Sequence, residues 1–451
     1  MSAVFSQIGV SSVSDLIMGI ASIVFFILFA IFMFVFSVFF ISLFKKKPKY
    51  NNDFTPEVSI IIPVYNEEKN IAKCLDAVVG NDYPHNKIEV IVVDDGSTDN
   101  TIEIVRKYIL ANDKIEKKKD KSAQKDAKKE IKMKEIKIIK QNHLGKVRAL
   151  NVGVEKSRGE FIINIDADTL VSRHFIKNIV KPFQDIKVGA TSGPVIVRNK
   201  NCIAGMYQNI EYHYNNLIRQ SFSDMFNTGI WFFGCSSCYR KSALLEVGGF
   251  KEISQTEDME VAMELKKGGY KTIEASNAKS YTTAPSTLNG IFNQRARWWV
   301  GGIQSLKRNR DMFRFHSNPS VLFLFINHIW FSIYSFFSIP LFIYQIYFWF
   351  PSGNITESLY YLFRWFSQTG SFYVLYKIPE WGVSTKNIFG VLSGILSLAM
   401  LIAALYRYGD RLTLKNTFSI FFWFPYTIII NIFIAGSVLR GLKTKTKYFI
   451  K

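Results

Sequence analysis

Residues Ser14–Phe44 form an almost unbroken apolar run with no charge after Asp15. At about 1.5 Å per residue, a helix over this run is roughly 46 Å long, well beyond the ~30 Å hydrocarbon core of a bilayer. One long tilted helix fits and two spans do not. The run is too long for a signal-peptide core and has no small-residue cleavage pattern. Lys45-Lys46-Lys47-Pro48-Lys49 follows at once. The positive-inside rule places that end in the cytoplasm and the N-terminus outside. The chain is therefore expected to be an integral cell-membrane protein.

The rest of the apolar surplus is clustered near the other end. Of the 451 residues 48% are hydrophobic, and long apolar segments recur at Val321–Phe350, Asn387–Tyr406 and Thr417–Val438. Pro340 and Pro425 fall inside the first and last of these. The segment Pro351–Ser384 is aromatic and moderately polar. If Glu357–Lys377 crossed, Arg364 would sit in lipid at a cost of about 2.5 kcal/mol or more. Four spans are favoured, which puts the basic tail Arg440–Lys451 outside. Asn354-Ile-Thr356 is a glycosylation sequon that suits an outer loop.

The formal charge of +20 lies largely in one lysine-rich stretch and beside the apolar segments. Membrane orientation and anionic lipid explain it, and an anionic substrate is a second contributor. No RNA- or DNA-reading motif is present, so nucleic acid is not an expected partner. The four cysteines include Cys235-Ser-Ser-Cys238, but without a second pair or a histidine pair a structural zinc site is not expected.

Between the apolar regions, from about Tyr50 to Asn318, the pattern is that of a soluble domain. Val58–Tyr65 and Ile88–Gly96 read as strands buried on both faces, each followed by a helix, over Glu68–Val79 and Asp99–Leu110. This β-α-β-α order predicts a doubly wound sheet whose ligands gather at the carboxyl ends of the strands. Residues 111–134 are charge-dense and read as a mobile or loosely helical insertion. The sheet resumes at Ile136–Lys140, a helix starts at Gly145, and Phe161–Ile165 is a strand ending in Asp166-Ala-Asp168. Gly193–Lys200 and Trp231–Arg240 read as further strands, with a helix over Met206–Arg219 between them. Thr256 is a natural N-cap for the helix that follows. The resulting division is 1–49, 50–298, an interfacial amphipathic segment 299–318, and the membrane region 319–451.

Several residues carry candidate chemistry. Asp94 and Asp95 end a buried strand and suit a base or ribose. Asp166 and Asp168 point to the same side of their strand, so both can face one ligand or one divalent cation; ordinary turn acids remain the alternative. Asp258 lies in a first helical turn, where capping alone explains it, yet the same field favours the ionised form that a general base needs. Gln294, Arg297 and Trp298 share a helix face that offers an amide, a fixed cation and an aromatic plate. From those residues alone, a basic helix lying on a membrane surface is the favoured reading. The absence of Walker A, GxGxxG and GxSxG patterns argues against an NTPase, a Rossmann dehydrogenase and an α/β-hydrolase. A nucleotide-sugar transferase would use every part.

From Val58 to Leu306 the sequence resembles the membrane-integrated family 2 glycosyltransferases, which include cellulose, hyaluronan and poly-N-acetylglucosamine synthases. The resemblance rests on Ile62-Pro-Val-Tyr-Asn-Glu-Glu68, Val93-Asp-Asp-Gly-Ser-Thr-Asp99, Gly145-Lys146, Asp166-Ala-Asp168, Thr256-Glu-Asp258 and Gln294-Arg-Ala-Arg-Trp298. It implies an α/β GT-A (Rossmann-like) domain facing the cytosol, joined to α-helical transmembrane segments. It implies that a UDP-sugar is held by Asp94, Asp95, Lys146 and Asp166, with Pro63, Tyr65, Glu67 and Glu257 also in the substrate-binding set. Mg2+ or Mn2+ would sit on Asp168, and Asp258 would be the general base. Gln294, Arg297 and Trp298 would hold the pyrophosphate and the acceptor end. Transfer would be inverting, to a growing polysaccharide extruded through the spans. Transfer of one sugar to a membrane lipid is the alternative. The lysine-rich insertion departs from the family pattern, and no cyclic-nucleotide-sensing domain follows the last span. The resemblance does not identify accessory subunits.

Overall fold

The computed structural model describes residues 10–122, 134–314, 317–350 and 354–443. Ten strands make up its two sheets. In chain order they are β1 (Val58–Val64), β2 (Ile88–Asp94), β3 (Lys134–Lys140), β4 (Phe161–Ile165), β5 (Leu170–Val171), β6 (Val188–Ser192), β7 (Val195–Val197), β8 (Ser236–Arg240), β9 (Lys271–Glu274) and β10 (Ser280–Thr282). The main sheet has the order β3-β2-β1-β4-β8-β6-β9, and β5, β10 and β7 form a small second one. Strands β3, β2, β1 and β4 are parallel neighbours. Their continuous apolar runs follow from burial on both faces. Ile60, Ile62 and Val90 enter one core, while Ile61, Ile91 and Ile162 enter the other. Each such side chain contributes about 1.5–3 kcal/mol when taken out of water.

Pro63 sits in the middle of this sheet without breaking it. Pairing of β1 with β4 stops at Ile61 opposite Asn164, while pairing with β2 runs on to Val64 opposite Asp94. Proline lacks the backbone donor, and it stands where one side of the ladder has already ended. The same geometry brings the ends of β1, β2 and β4 to one edge. There the two loops are tied together. Asn66, at φ 55°, accepts from the Thr98 amide at 2.8 Å, and its own amide donates to Ser97 Oγ at 3.1 Å.

Some local expectations are corrected. The strand read over Trp231–Arg240 is confined to Ser236–Arg240, and it runs antiparallel to both β4 and β6. Val188–Ser192, a strand not expected from the sequence, is fully buried between β8 and β9. Its small residues serve close packing: a Cβ on Gly189 would lie 2.8 Å from Tyr270 Cβ. Thr256 occupies the N-cap position, but its side chain makes no capping bond. The helix from Thr101 continues to Ser122, into the lysine-rich stretch; residues 123–133 of the expected insertion lie outside the described residues.

Among the described residues, four helices are long and apolar enough to cross a membrane: Leu16–Phe44, Pro319–Tyr344, Thr385–Arg407 and Trp423–Leu442. The apolar run Thr417–Val438 is not one helix. It divides into Leu414–Phe421 and Trp423–Lys443. Pro425 explains the break, because it cannot donate to the Phe421 carbonyl four residues earlier and its ring crowds that group. The freed Phe421 carbonyl instead accepts from the Gln368 amide at 2.9 Å. Likewise 357–377 is split between two short helices, Ile355–Trp365 and Thr369–Trp381. At ~1.5 Å per residue neither reaches across the hydrocarbon.

Side-chain contacts fix which helix ends share a face. Lys45, at the end of the first apolar helix, donates to the Met225 carbonyl of the soluble domain. Asp410, just after Thr385–Arg407, receives Lys200 Nζ at 2.6 Å and Asn209 Nδ2 at 2.9 Å from the same domain. The opposite ends also meet, with Phe29 stacked on Phe389 at 4.1 Å and Lys386 Nζ donating to Ser22 Oγ at 2.7 Å. Lys45 and Asp410 thus both lie against the soluble domain, at the same end of their two paired helices.

The helix Leu288–Arg308 links the soluble domain to the apolar helices. Trp299 donates from Nε1 to Ser332 Oγ at 2.9 Å and stacks on His328 at 4.8 Å. Gly302 makes this approach possible, since a Cβ there would lie 2.6 Å from His328 Nε2. The residues after the motif were expected to lie on a membrane surface. Part of their polar face turns to protein instead: Gln304 Oε1 accepts from the Gln255 amide at 3.1 Å, and Arg308 pairs with Glu260 at 3.1 Å.

Candidate active site

The acids predicted from sequence converge on a lysine. Lys146 opens the helix Lys146–Lys156, and its Nζ lies 2.8 Å from Asp166 Oδ1 and 2.9 Å from Glu257 Oε1. It thereby joins the end of β4 to the start of the helix Glu257–Lys267. Burial disfavours the ammonium, but the two carboxylates outweigh that and hold its pKa well above the ordinary lysine value. Its side chain still keeps 35% of its surface open, so an incoming anion can reach it.

Asp258 stands beside this cluster. Its Oδ2 accepts from the Gly234 amide at 2.7 Å and its Oδ1 from the Met259 amide at 2.8 Å. Burial raises its pKa and the Glu257 carboxylate raises it further, to about 6, against the pull of Lys146 and the two amides. Glu257 behaves in the opposite way. Burial acts to raise it, yet Lys146 and, more weakly, Arg297 bring it below the ordinary glutamate value. Two adjacent carboxyls are thus driven apart, the arrangement that separates a permanently charged group from one able to exchange a proton. Gly234 is required here for space. A Cβ would lie 2.5 Å from Asp258 Cβ and 2.8 Å from its Oδ2. The small residue in Phe232-Phe-Gly-Cys-Ser thus admits Asp258 at this point.

Asp94 and Asp95 are less alike than their adjacency suggests. Asp94 is buried, and its Oδ1 accepts from the Ser97 amide at 3.0 Å. Asp95 spends its carboxylate on the chain. It accepts from Gln141 Nε2 at 2.6 Å and from the Leu144 and Gly145 amides at 2.9 Å each, while His143 Nδ1 lies 2.9 Å away. Asp95 therefore holds the loop that delivers Lys146, rather than standing open as half of a ligand pair. Tyr65 faces the same edge, stacked on His143 at 4.1 Å. His143 was not singled out from sequence, and nothing in a lone histidine before a glycine marks it. Glu67 accepts from Asn70 Nδ2 at 2.8 Å, and its amide donates to Thr101 Oγ1 at 2.7 Å. Glu67 thus fixes the turn after β1, and Pro63 only borders the edge.

Asp166 and Asp168 follow β4 and are both half-buried. Cys74 and Cys235 lie close by. Burial pushes the Cys74 thiol out of the physiological range and the Cys235 thiol up to about 12, with both acids adding to the effect. The four cysteines are free. No group of three or more His, Cys, Asp or Glu side chains able to hold a metal occurs among the described residues. Two hard oxygen donors nevertheless fit a magnesium- or manganese-type ion, which takes one or two carboxylates and completes its shell with phosphate oxygens and water.

The Gln294–Trp298 face divides its work. Arg297 forms no ion pair among the described residues, and its charge acts on Glu257. Trp298 lies 6.4 Å from Phe233, the residue preceding Gly234, with planes 30° apart. Gln294 lies beside Tyr212, whose hydroxyl burial pushes well above the ordinary tyrosine value. The site thus runs without a break from Asp166 and Asp168 through Lys146, Glu257 and Asp258 to Phe233 and Trp298.

This fold and edge of acids define a glycosyltransferase with a GT-A-type domain. Residues 59–248 match the model for Glycosyl transferase family 2, and residues 161–436 match that for Glycosyl transferase family group 2. The chain belongs to the family 2 glycosyltransferases. Over 271 residues it is 31% identical to the poly-beta-1,6-N-acetyl-D-glucosamine synthase of Staphylococcus aureus (strain COL), covering 59% of each chain. It is 29% identical to the enzyme of that name from Staphylococcus epidermidis over 258 residues, 56% of each. The chain thus spans just under three fifths of the length of these curated relatives. A mannosyltransferase from Pyrobaculum calidifontis, solved with GDP-Man and Mn2+, shares the fold at a TM-score of 0.53 and 21% identity, over 84% of this chain and 98% of that one.

The contact between Gly234 and Asp258 predicts the behaviour of Gly234→Ala. The added methyl must move the Asp258 carboxyl, and misplacement by about 1 Å costs roughly a hundredfold in rate. Turnover is expected to fall by about that factor while affinity for the nucleotide-sugar donor, read by calorimetry, stays near that of the unaltered protein. Unchanged turnover would show that Asp258 need not be held there.

Proposed function

We propose that the protein transfers a sugar from a UDP-sugar, UDP-N-acetylglucosamine being the first candidate, to a growing polysaccharide. Transfer inverts the anomeric centre, and the polymer leaves through the apolar helices. The observation that carries the reading is the position of Asp258. It is a half-buried carboxyl of raised pKa, held by two backbone amides, one residue from an acid that pairs with the Lys146 ammonium. The relatives' name supports the choice of sugar, and Lys45–Lys49 supports a cytosolic site.

In this reading Asp94 and Tyr65 hold the nucleoside at the ends of β2 and β1, and Asp95 keeps their loop in place. Lys146 and Arg297 bind the diphosphate. Asp166 and Asp168 would hold a divalent cation, which supplies charge neutralisation at the leaving diphosphate. Asp258 takes the proton from the acceptor hydroxyl as the oxygen attacks the anomeric carbon and the bond to the diphosphate breaks. Glu257 keeps Lys146 placed and, by its charge, raises the basicity of Asp258. Trp298 and Phe233 receive the acceptor sugar on their faces, and Gln294 lies beside them.

A donor screen tests this most broadly. Purified full chain is given radiolabelled UDP-N-acetylglucosamine, UDP-glucose and GDP-mannose with Mg2+ or Mn2+. High-mass product from the first donor, degraded by a specific glycanase and lost on chelation, is expected. A lipid carrying one sugar would replace the polymer by a lipid acceptor. Transfer undiminished in chelator would remove the metal.

The pKa of Asp258 sets a second expectation. A carboxyl raised to about 6 is protonated below that pH and ionised above it, so a base of this kind loses activity as pH falls through about 6. Removing the neighbouring negative charge in Glu257→Gln lowers that pKa and moves the acid limb to lower pH. A limb that stays in place would separate it from Asp258.

A further inference from the structure

Beyond the residues that meet donor and acceptor, the aromatic pair at the acceptor end is bracketed by cations. Arg219 Cζ lies 3.8 Å from the Phe233 ring centroid, and Arg295 Cζ lies 4.5 Å from that of Trp298. Each guanidinium is tied to a carboxylate. Arg219 is fully buried, pairs with Glu274 at 2.7 Å and donates to Ser192 Oγ at 2.6 Å. Arg295 is 7% exposed and pairs with Glu211 at 2.8 Å. The Tyr426 hydroxyl donates to the same Glu211 carboxylate.

Three distant segments therefore act on two rings. Arg219 and Glu211 belong to the helix Ile203–Phe226, Arg295 to the motif helix, and Tyr426 to the last membrane-length helix. A buried charge that loses its partner is strongly disfavoured, so neither guanidinium can swing away while its carboxylate stays. A flat cation over a ring face restrains the ring's tilt, and a lysine ammonium in its place does so less well.

We propose that Arg219 and Arg295 are positioning residues for the acceptor. They fix the tilt of Phe233 and Trp298, and through Glu211 the Tyr426 hydroxyl makes that tilt depend on the seating of the last membrane helix. The proposal rests on the reading of Trp298 as the acceptor platform. It goes beyond that reading by assigning the control of the platform to residues that touch no substrate.

The test uses full-length protein in detergent with radiolabelled UDP-N-acetylglucosamine. It measures the ratio of sugar transferred to acceptor to sugar released to water, and UDP affinity by calorimetry. Arg295→Lys keeps the charge opposite Glu211 but loses the plane, and Tyr426→Phe removes one hydroxyl only. Arg295→Lys is expected to lower the transfer ratio about tenfold, equivalent to ~1.4 kcal/mol. Tyr426→Phe is expected to lower it by a smaller factor, and both should leave UDP affinity within about twofold. A purely structural role would lower UDP affinity and transfer together. An unchanged ratio in Arg295→Lys, or loss of UDP affinity in both variants, overturns the positioning role. Unaltered protein that transfers nothing from this donor overturns the reading beneath it, and the proposal with it.

Discussion

The three-way contact of Lys146 with Asp166 and Glu257 is the interaction on which the site depends. Asp166, Asp168, Glu257 and Asp258 bring four carboxyls to one sheet edge, where their mutual repulsion would otherwise open the loops that carry them. One ammonium between two of them lets the strand end and the helix start approach. Glu257 can then stay charged, while its charge and the surrounding burial push Asp258 upward. The loop that delivers Lys146 is in turn fastened by Asp95, through the Leu144 and Gly145 amides. A donor diphosphate would offer Lys146 the same kind of partner that Asp166 offers now.

The membrane helices extend the same economy of contacts. The motif helix Leu288–Arg308 presents Trp298 to the soluble domain and the next residue, Trp299, to the apolar helix Pro319–Trp349. Consecutive residues point roughly 100° apart around a helix, so one helix can serve the reaction and the membrane anchorage together. Asp410, bound by Lys200 and Asn209, fastens a second membrane-proximal loop to the helix Ile203–Phe226 and the residues just before it. That helix is unusually rich in buried polar side chains, among them Gln208, Asn209, His213, Asn216 and Arg219.

Much of this was legible in the sequence where the signal is local. The runs Val58–Val64, Ile88–Asp94 and Phe161–Ile165 read as two-sided strands because both of their faces are buried. The acids after them then follow from the rule that ligands gather at strand ends. Val188–Ser192 escaped because its residues are small, chosen for close approach rather than bulk. Trp231–Cys235 looked like a strand because its apolar residues line an interior that a turn, not a ladder, occupies. The break at Phe422 was marked only by Pro425 three residues on. The partners of Asp95, Arg219 and Arg295 lie dozens of residues away, so no spacing could reveal them. Arg295 in particular carries no mark of its own in the sequence, and Glu211 draws it inside.

We propose that Asp258 is the base, held by Gly234 and tuned by Glu257. Asp258→Asn keeps the shape of the side chain and removes its ability to take a proton. The measurement is its turnover with the active donor, beside UDP affinity by calorimetry. A fall of at least about a hundredfold, the lower bound of what a positioned base contributes, is expected, with UDP affinity retained. Turnover close to that of the unaltered protein, with UDP affinity equally intact, would contradict it.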